Sequence, residues 1–578
     1  MNIFEELKSD LEKYTATLYK DKDIWSLATL EAPKDPLNGD LSTNIAMIVA
    51  SKEKKNPREI AMQFKDVFST IPYIAHIGVA GPGFINFTIR SEKWHESLNS
   101  ILNDDKRFWE INIGNDERVN VEYVSANPTG PMHIGHARGA VYGDILSNIL
   151  SKCGYLVTKE YYINDAGSQI DTLIDSSIMR YEEVLTGKAA EIPEGLYPGE
   201  YLKIVGQKLF DKYQDQLHKI DSKSMRAEVK KIAISEMLSL IKSDLSDLGI
   251  HHDIFFSEQS LHDTDKITQS VKILEDKNLI YKGVLPEPKK NMGDDNWEEK
   301  EQLLFRSTNY GDSQDRSIQK GDGSWSYLAA DFAYAKDKID RKFDALIYIL
   351  GADHAGYIKR IEAVIDALGN GKVKSEIKTT QLVNFVKDGE PIKMSKRSGN
   401  FMTVRDVTEA VGKDIVRFMM LTRRSDMPLD FDFDKVKEQS KDNPVFYVQY
   451  AHVRVKSILQ KAQDDFTDAY NQFASNEFDL SLLSSEEELQ LIKLLASWAK
   501  ILSGAAKYFE PHRIAYYLID VASKFHSVWH LGKENSNYRF NIENNKDLTA
   551  ARLALAESVR KVIAYGFEVI GVTPMDKM

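Results

Sequence analysis

Cysteine is nearly absent: Cys153 is the single thiol in 578 residues. One cysteine excludes an internal disulfide framework and a zinc site built on thiolates, and it fits a reducing compartment. Long apolar runs are missing too; none approaches the ~18–20 residues that a membrane helix needs. The opening stretch, MNIFEELKSDLEKY, is charged and amphipathic, without the basic start and apolar centre of a secretory signal. A cytoplasmic protein with no membrane partner is therefore expected. Positive charge is in deficit, at a formal net charge of −12. That argues against bulk electrostatic capture of nucleic acid but leaves room for local basic patches. There is no internal repeat and no low-complexity tail. Core material is abundant: 42% of residues are hydrophobic and 28% charged, the balance of a folded soluble chain and not of a disordered one. At roughly 150 residues per domain, the length allows about four units.

Residues 1–90 read as a small α/β unit. Helical patterns cover Ile3–Lys20 and Pro57–Ser69, apolar strands cover Ile74–Val79 and Phe84–Ile89, and Asn38-Gly39-Asp40 and Gly81-Pro82-Gly83 signal turns. A joint over 91–115 leads to a region of alternating strands and helices over 116–384. Its first unit is a β-rich run, Arg118–Val124, then a loop with Asn127, Pro128, Gly130 and Pro131, then a helix from Ala137 to about Cys153, then a strand at Tyr155–Ile163. Strand–loop–helix–strand units of this kind build parallel sheets. The interval 170–300 is polar and largely helical and reads as an insertion between two halves of one sheet. Leu346–Leu350 is another buried-strand candidate. Residues 385–435 follow as a separate region, and from 436 to 578 only helical periods occur. Ser485-x-x-Glu488 reads as a capping box at the head of one of them.

Two short segments carry chemistry. His133-Ile134-Gly135-His136 stands between a strand and a helix, where two imidazoles could face one ligand and the helix start attracts phosphate. Gly135 would leave room for a base or ribose to approach the backbone. His-x-x-His also recurs by chance and on metal sites, but a zinc site would want a third ligand, and none is adjacent. Lys393-Met394-Ser395-Lys396 is small, polar and basic, suited to neutralising a departing pyrophosphate; a lysine-rich turn is otherwise a solvated loop. Within 381–424 nine Lys/Arg stand against five Asp/Glu, so positive charge gathers near this proposed phosphate site, as backbone contacts to nucleic acid require.

Together these segments resemble the two signatures of class I aminoacyl-tRNA synthetases, and their flanks resemble the arginyl-tRNA synthetases. The matching stretches are Val121–Gly139 (VEYVSANPTGPMHIGHARG), Tyr161–Gly167 (YYINDAG), Gly351-Ala352-Asp353-His354, Met394–Phe401 (MSKRSGNF) and Asn443–His452 (NPVFYVQYAH). The resemblance covers nearly the whole chain. It implies an α/β protein: a Rossmann-like catalytic domain with a parallel sheet, a small N-terminal α/β additional domain and an all-α C-terminal anticodon-binding bundle. It implies ATP with Mg²⁺ as the substrate complex, L-arginine and tRNA(Arg) as partners, no protein-bound structural metal, and a monomer.

The resemblance also implies roles. His133, His136, Lys393 and Lys396 would be catalytic. ATP would be bound by His133, Gly135, His136, Gly351, Asp353, His354, Met394, Ser395 and Lys396. Arginine would be held by Glu122, Ser125, Asn127, Tyr327, Asp331 and His354, although some relatives carry glutamine where His354 stands. The chemistry agrees, because a guanidinium needs carboxylates and neutral acceptors in a plane, and Tyr327 and Asp331, four apart on a helix, share a face. In the N-terminal unit, Asn44, Phe84 and Asn86 would meet the tRNA D-loop, unless the phenylalanines are simply core. Tyr447 and Tyr450 would read the anticodon end, unless both pack inside the bundle. Residues 385–435 would hold the Lys393–Lys396 loop and a contact with the tRNA stem. Removing 436–578 is expected to abolish tRNA recognition and leave the nucleotide site formed. Two rivals are a shorter nucleotidyltransferase that does not use tRNA, against which the length argues, and a non-catalytic tRNA-binding relative, against which the intact histidines and lysines argue.

Overall fold

The computed structural model describes residues 3–19, 24–33, 35–285, 301–320, 323–387, 389–391, 402–440 and 442–578. Lys393, Met394, Ser395 and Lys396 lie outside the described residues.

At the centre is a five-stranded sheet in the spatial order Lys374–Thr380, Ala345–Gly351, Arg118–Tyr123, Leu156–Ile163, Ile254–Ser257. Every neighbouring pair is parallel. Side chains alternate across a strand, and the sequence exploits that on both faces. Val119, Val121 and Tyr123, with Ile347 and Ile349, pack into a core with helix Ala137–Lys152. Leu346 and Tyr348 point the other way, into a second core with helices Tyr327–Asp340 and Ile358–Gly369. Strands buried on both faces read as continuous apolar runs, as at 346–350, whereas 118–124 places the polar Asn120 and Glu122 on its second face. The chain order of the strands reverses between Arg118–Tyr123 and Ala345–Gly351. Open sheets of this kind leave a crevice there, beyond the carboxyl ends of the strands.

The interval 170–300 is not wholly an insertion. Helices Ser168–Thr186, Lys203–Tyr213 and Ser222–Asp247 have a small core of their own around Leu173, Tyr181, Leu209 and Met237. Ile254–Ser257 then returns to the central sheet as its edge strand. Four half-buried residues give no alternation to read, so only the pairing with Leu156–Ile163 reveals this strand. A short antiparallel meander of Ile280–Gly283, Gln302–Phe305 and Arg316–Ser317 follows.

The N-terminal unit is a four-stranded antiparallel sheet in the order Leu30–Glu31, Leu41–Thr43, Phe84–Ile89, Ile74–Ala80. Helices Ile45–Glu53 and Pro57–Phe68 pack on it. The C-terminal region contains helices Pro444–Asp465, Glu486–Ala496, Trp498–Tyr508, His512–Glu534 and Lys546–Ile570. The capping box at Ser485 is formed: Ser485 Oγ accepts the Glu488 N–H, and the Glu488 carboxylate accepts the Ser485 N–H at 3.1 Å. These helices share one continuous core with the catalytic region. Arg417, 1% exposed on its side chain, ties the parts together. It donates to Asp144 Oδ2 at 2.6 Å, to the Leu248 carbonyl at 3.0 Å and to the Ile570 carbonyl at 2.8 Å. Tyr142 donates to the Phe509 carbonyl, and the Trp498 indole to the Trp109 carbonyl at 3.1 Å.

Candidate active site

The loop after Arg118–Tyr123 crosses the crevice and is pinned along its length. Tyr161 Oη donates to the Ala126 carbonyl at 2.6 Å and Tyr201 Oη to the Thr129 carbonyl at 3.0 Å. Asp244, at the end of helix Ser222–Asp247, accepts the Met132 N–H at 2.7 Å. It is 3% exposed, and burial pushes its carboxyl up to about 6. The loop's last residues pair with the chain just beyond residues 392–401. Ile134 N–H donates to the Met402 carbonyl at 3.0 Å and Val404 N–H to the Met132 carbonyl at 2.9 Å. The first signature thus lies directly against the chain that leaves the second.

His133 caps the turn that enters helix Ala137–Lys152. The two imidazoles stack with centroids 3.8 Å apart and planes at 23°. A Cβ on Gly135 would meet the His133 ring at 2.8 Å. Its lack of a side chain makes room for the histidine, and the helix start stays open to an anion. Across the switch point, Gly351 ends its strand and Asp353 and His354 are exposed, with the imidazole 3.5 Å from the Asp353 carboxylate. A Cβ on Gly351 would run into Asp353.

Beside this lies an acidic pocket. Glu122, 8% exposed, receives Lys338 Nζ at 2.6 Å on one oxygen and the Ser125 hydroxyl at 3.2 Å on the other. Ser125 Oγ in turn accepts the Tyr162 N–H at 3.0 Å. Val124 and Ser125 have φ of 71° and 41°, left-handed values that are costly for a β-branched residue. Asp331 stands one turn into helix Tyr327–Asp340. Burial, with Glu258 and Glu122 nearby, pushes its carboxyl up to about 7, against a smaller pull from Arg360. Glu258, 5% exposed, is also pushed up by burial. Tyr162 lies among all three carboxylates. Asn127 is exposed at the rim and Tyr327 is 59% exposed at the head of its helix.

Glu258 and Tyr162 escaped the sequence reading, as did Asp244 and Lys338. A signal existed for Lys338: Tyr327, Asp331, Tyr334 and Lys338 follow the i, i+4, i+7, i+11 spacing of one helix face. Glu258 had none, because it follows the strand that periodicity missed.

The other expected contacts divide. Phe84 is 38% exposed, while Phe87 is core. Asn86 is 6% exposed, covered on a central strand between Ser42 and Gly78, and Asn44 Oδ1 accepts the Thr29 N–H at 2.8 Å. Asn86 is thus closed off from solvent, against the expectation of a D-loop contact, whereas Asn44 is half-buried with its amide oxygen engaged. Tyr447 is half-buried against His526, whereas Tyr450 is 45% exposed. Tyr450 lines an open groove of about 580 Å³ with Arg454, Lys461, Trp529, Lys533 and Arg539. The Arg454 guanidinium lies 3.8 Å from the Trp529 ring centre and 4.1 Å from that of Tyr450.

Three family models match in succession: an arginyl tRNA synthetase N terminal domain over 3–89, a class I tRNA synthetase (R) catalytic domain over 97–454 and a DALR anticodon binding domain over 448–578. The arginine–tRNA ligases of Rickettsia felis and Rickettsia prowazekii are each 60% identical over the full length of both chains. The chain belongs to the arginyl-tRNA synthetase family. Among solved structures, a putative arginyl-tRNA synthetase from Campylobacter jejuni has a TM-score of 0.70 at 31% identity, covering 84% of this chain and 99% of that one. The Thermus thermophilus arginyl-tRNA synthetase has a TM-score of 0.73 over the whole of both chains, at 18% identity, a likeness of fold.

Proposed function

We infer that this arginyl-tRNA synthetase family member joins L-arginine to tRNA(Arg) in two steps at the switch-point crevice. The arginine carboxylate attacks the α-phosphate of ATP, which enters with Mg²⁺, and pyrophosphate leaves. The arginyl-adenylate then passes arginine to the 2′-hydroxyl of the terminal ribose, releasing AMP. No protein nucleophile is needed; positioning and charge stabilisation carry the rate.

His133 and His136 are assigned to the phosphates, at a helix start that favours anions. Lys393 and Lys396 are assigned to the departing pyrophosphate, and the pairing of Met132 and Ile134 with Met402 and Val404 supports a shared site. Gly351, Asp353 and His354 border the nucleotide side. Glu122, Ser125, Asp331, Tyr327 and Asn127 are assigned to arginine, and Glu258 joins them. Of the tRNA contacts, Phe84 retains its assignment to the D-loop. The groove at Tyr450, Arg454 and Trp529 suits an unstacked base of the anticodon, since rings stack on bases and cations meet the backbone.

One observation carries the reading: Glu122, Glu258 and Asp331 gather around Tyr162, and burial raises the carboxyls of Asp331 and Glu258 above their ordinary range. A guanidinium answers that surplus. The test is ATP–pyrophosphate exchange with each of the twenty amino acids, with and without total tRNA. Exchange with arginine alone, and only with tRNA present, is expected. Exchange with another amino acid, or none with arginine, overturns the reading.

A further inference from the structure

Lys338 is wholly buried, yet it lies one residue's reach from the arginine pocket. Its Nζ is 2.6 Å from Glu122 Oε2. The ammonium also sits 4.1 Å from the Tyr348 ring centre and 4.4 Å from that of Tyr334. A lysine is rarely placed so deep unless it is paired, and removing one partner of such a pair leaves an uncompensated charge.

The neighbouring charges are already matched. Glu160, fully buried, takes two hydrogen bonds from Arg341 at 2.6 and 2.9 Å and one from Tyr334 Oη at 2.7 Å. It also accepts from Asn120 at 2.8 Å. Asp337 pairs with Lys266 at 2.8 Å and with Arg341 at 2.9 Å. Lys338 is therefore not needed to neutralise Glu160, and its ammonium contacts Glu122. Of the pocket carboxylates, Glu258 has His262 as its one basic partner among the described residues, at 3.8 Å.

We propose that Lys338 is a positioning residue for arginine recognition: it holds Glu122 Oε2 from behind, so that Glu122 meets the substrate as an oriented acceptor while Asp331 and Glu258 supply the charge that balances the guanidinium. Ser125 completes the grip on the other oxygen, and the left-handed backbone at Val124 and Ser125 brings that hydroxyl into line. With Lys338 paired to Glu122, the guanidinium is left to Asp331 and Glu258. Without it, Glu122 keeps only the Ser125 hydrogen bond and becomes an unpaired carboxylate that a proton or a small cation can satisfy. The two aromatic faces keep water from replacing the ammonium.

This rests on the assignment of the pocket to arginine, and the test separates the two. The KM values for arginine and ATP are measured by tRNA-dependent pyrophosphate exchange from pH 6 to 9, for the native chain, Lys338→Met and Lys338→Arg. Lys338→Met should raise the arginine KM about 10- to 100-fold, the worth of a hydrogen bond to a charged group, and leave the ATP KM unchanged. The rise should be greatest at low pH and shrink as pH increases. Lys338→Arg should recover most of the loss. If Lys338→Met does not fold, Glu122→Gln/Lys338→Met, which removes both charges, should fold and bind arginine weakly, with no pH dependence beyond that of the native chain. An unchanged arginine KM, equal rises for arginine and ATP with the native pH profile, or native arginine binding by the double variant would each overturn the proposal. A native chain that exchanges with no arginine would instead overturn the function.

Discussion

The carboxylate pocket proposed for arginine and the groove of the C-terminal bundle both combine charge with aromatic rings, in opposite arrangements. In the pocket, carboxylates are enclosed and the rings of Tyr334 and Tyr348 wall off an internal lysine. In the groove, rings and cations stand at the surface and stack on one another, with Arg454 between Tyr450 and Trp529. His526 supports this stack as a neutral acceptor. Its Nδ1 takes a hydrogen bond from Arg454 at 2.8 Å, and burial holds its imidazole down at about 4. A small rigid cation rewards enclosure, because each interaction gains strength as water leaves. A flexible polyanion rewards an exposed platform, where stacking tolerates movement and cations meet phosphates singly.

The comparison breaks most severely if the two regions are separated. The sequence suggests a self-contained bundle from 436 onward, whose loss spares the nucleotide site. The continuous core and the Arg417 contacts to Ile570, Leu248 and Asp144 argue otherwise. Deleting 436–578 is expected to cost the catalytic region its cooperative fold and its ATP binding together. A truncated chain with a sharp thermal transition and native ATP affinity would restore the view of an independent bundle.

Next in size is His136→Ala. Losing one preorganised donor to a developing charge costs ~10²–10³ in rate. The exchange rate should fall by about that factor, with the arginine KM within a few-fold of native. A matching rise in the arginine KM would mean that the stacked imidazoles shape the pocket rather than the phosphate side.

Trp529→Ala sharpens the groove side of the comparison. Stacking of a base is worth ~1–3 kcal/mol, so the tRNA KM should rise about 5- to 150-fold while the arginine KM at saturating tRNA stays native. An unchanged tRNA KM would remove the groove from the tRNA contact.

How legible these regions were depends on whether their parts are linear or assembled. The His133–His136 loop is a contiguous segment between a strand and a helix, so its place at the switch point followed from the alternating pattern. The capping box at Ser485 and the shared face of Tyr327 and Asp331 were equally local. Glu258 was not legible, because Ile254–Ser257 is a strand only through its pairing with Leu156–Ile163. The burial of Asn86 was hidden for a related reason: strands on both sides flank it, whereas Phe84 stays open. The shared core was hidden as well, since helical periodicity shows that a face is apolar without showing which partner covers it.

The smallest effect concerns protons. With its carboxyl pushed up to about 7 against a usual value of 3.8, Asp331 keeps a proton in the empty pocket up to near-neutral pH. Glu258 is shifted in the same direction. A bound guanidinium favours the ionised carboxylate, so arginine binding below about pH 7 must expel a proton. Affinity should therefore increase from pH 6 to 7.5, by at most tenfold per unit for one group, and level off above. The stability sign is opposite in the free chain. The folded state binds a proton that the unfolded chain has lost between about pH 4 and 7, so this group's contribution declines as pH rises through that window. Arginine should accordingly raise the thermal midpoint more at pH 7.5 than at pH 6. Calorimetric titration at pH 6.5 in two buffers of different ionisation enthalpy measures the proton released, and Asp331→Asn should lose most of it. No release from the native chain would mean that the pocket's carboxylates are already ionised before arginine arrives, and that enclosure alone does not distinguish this site from the groove.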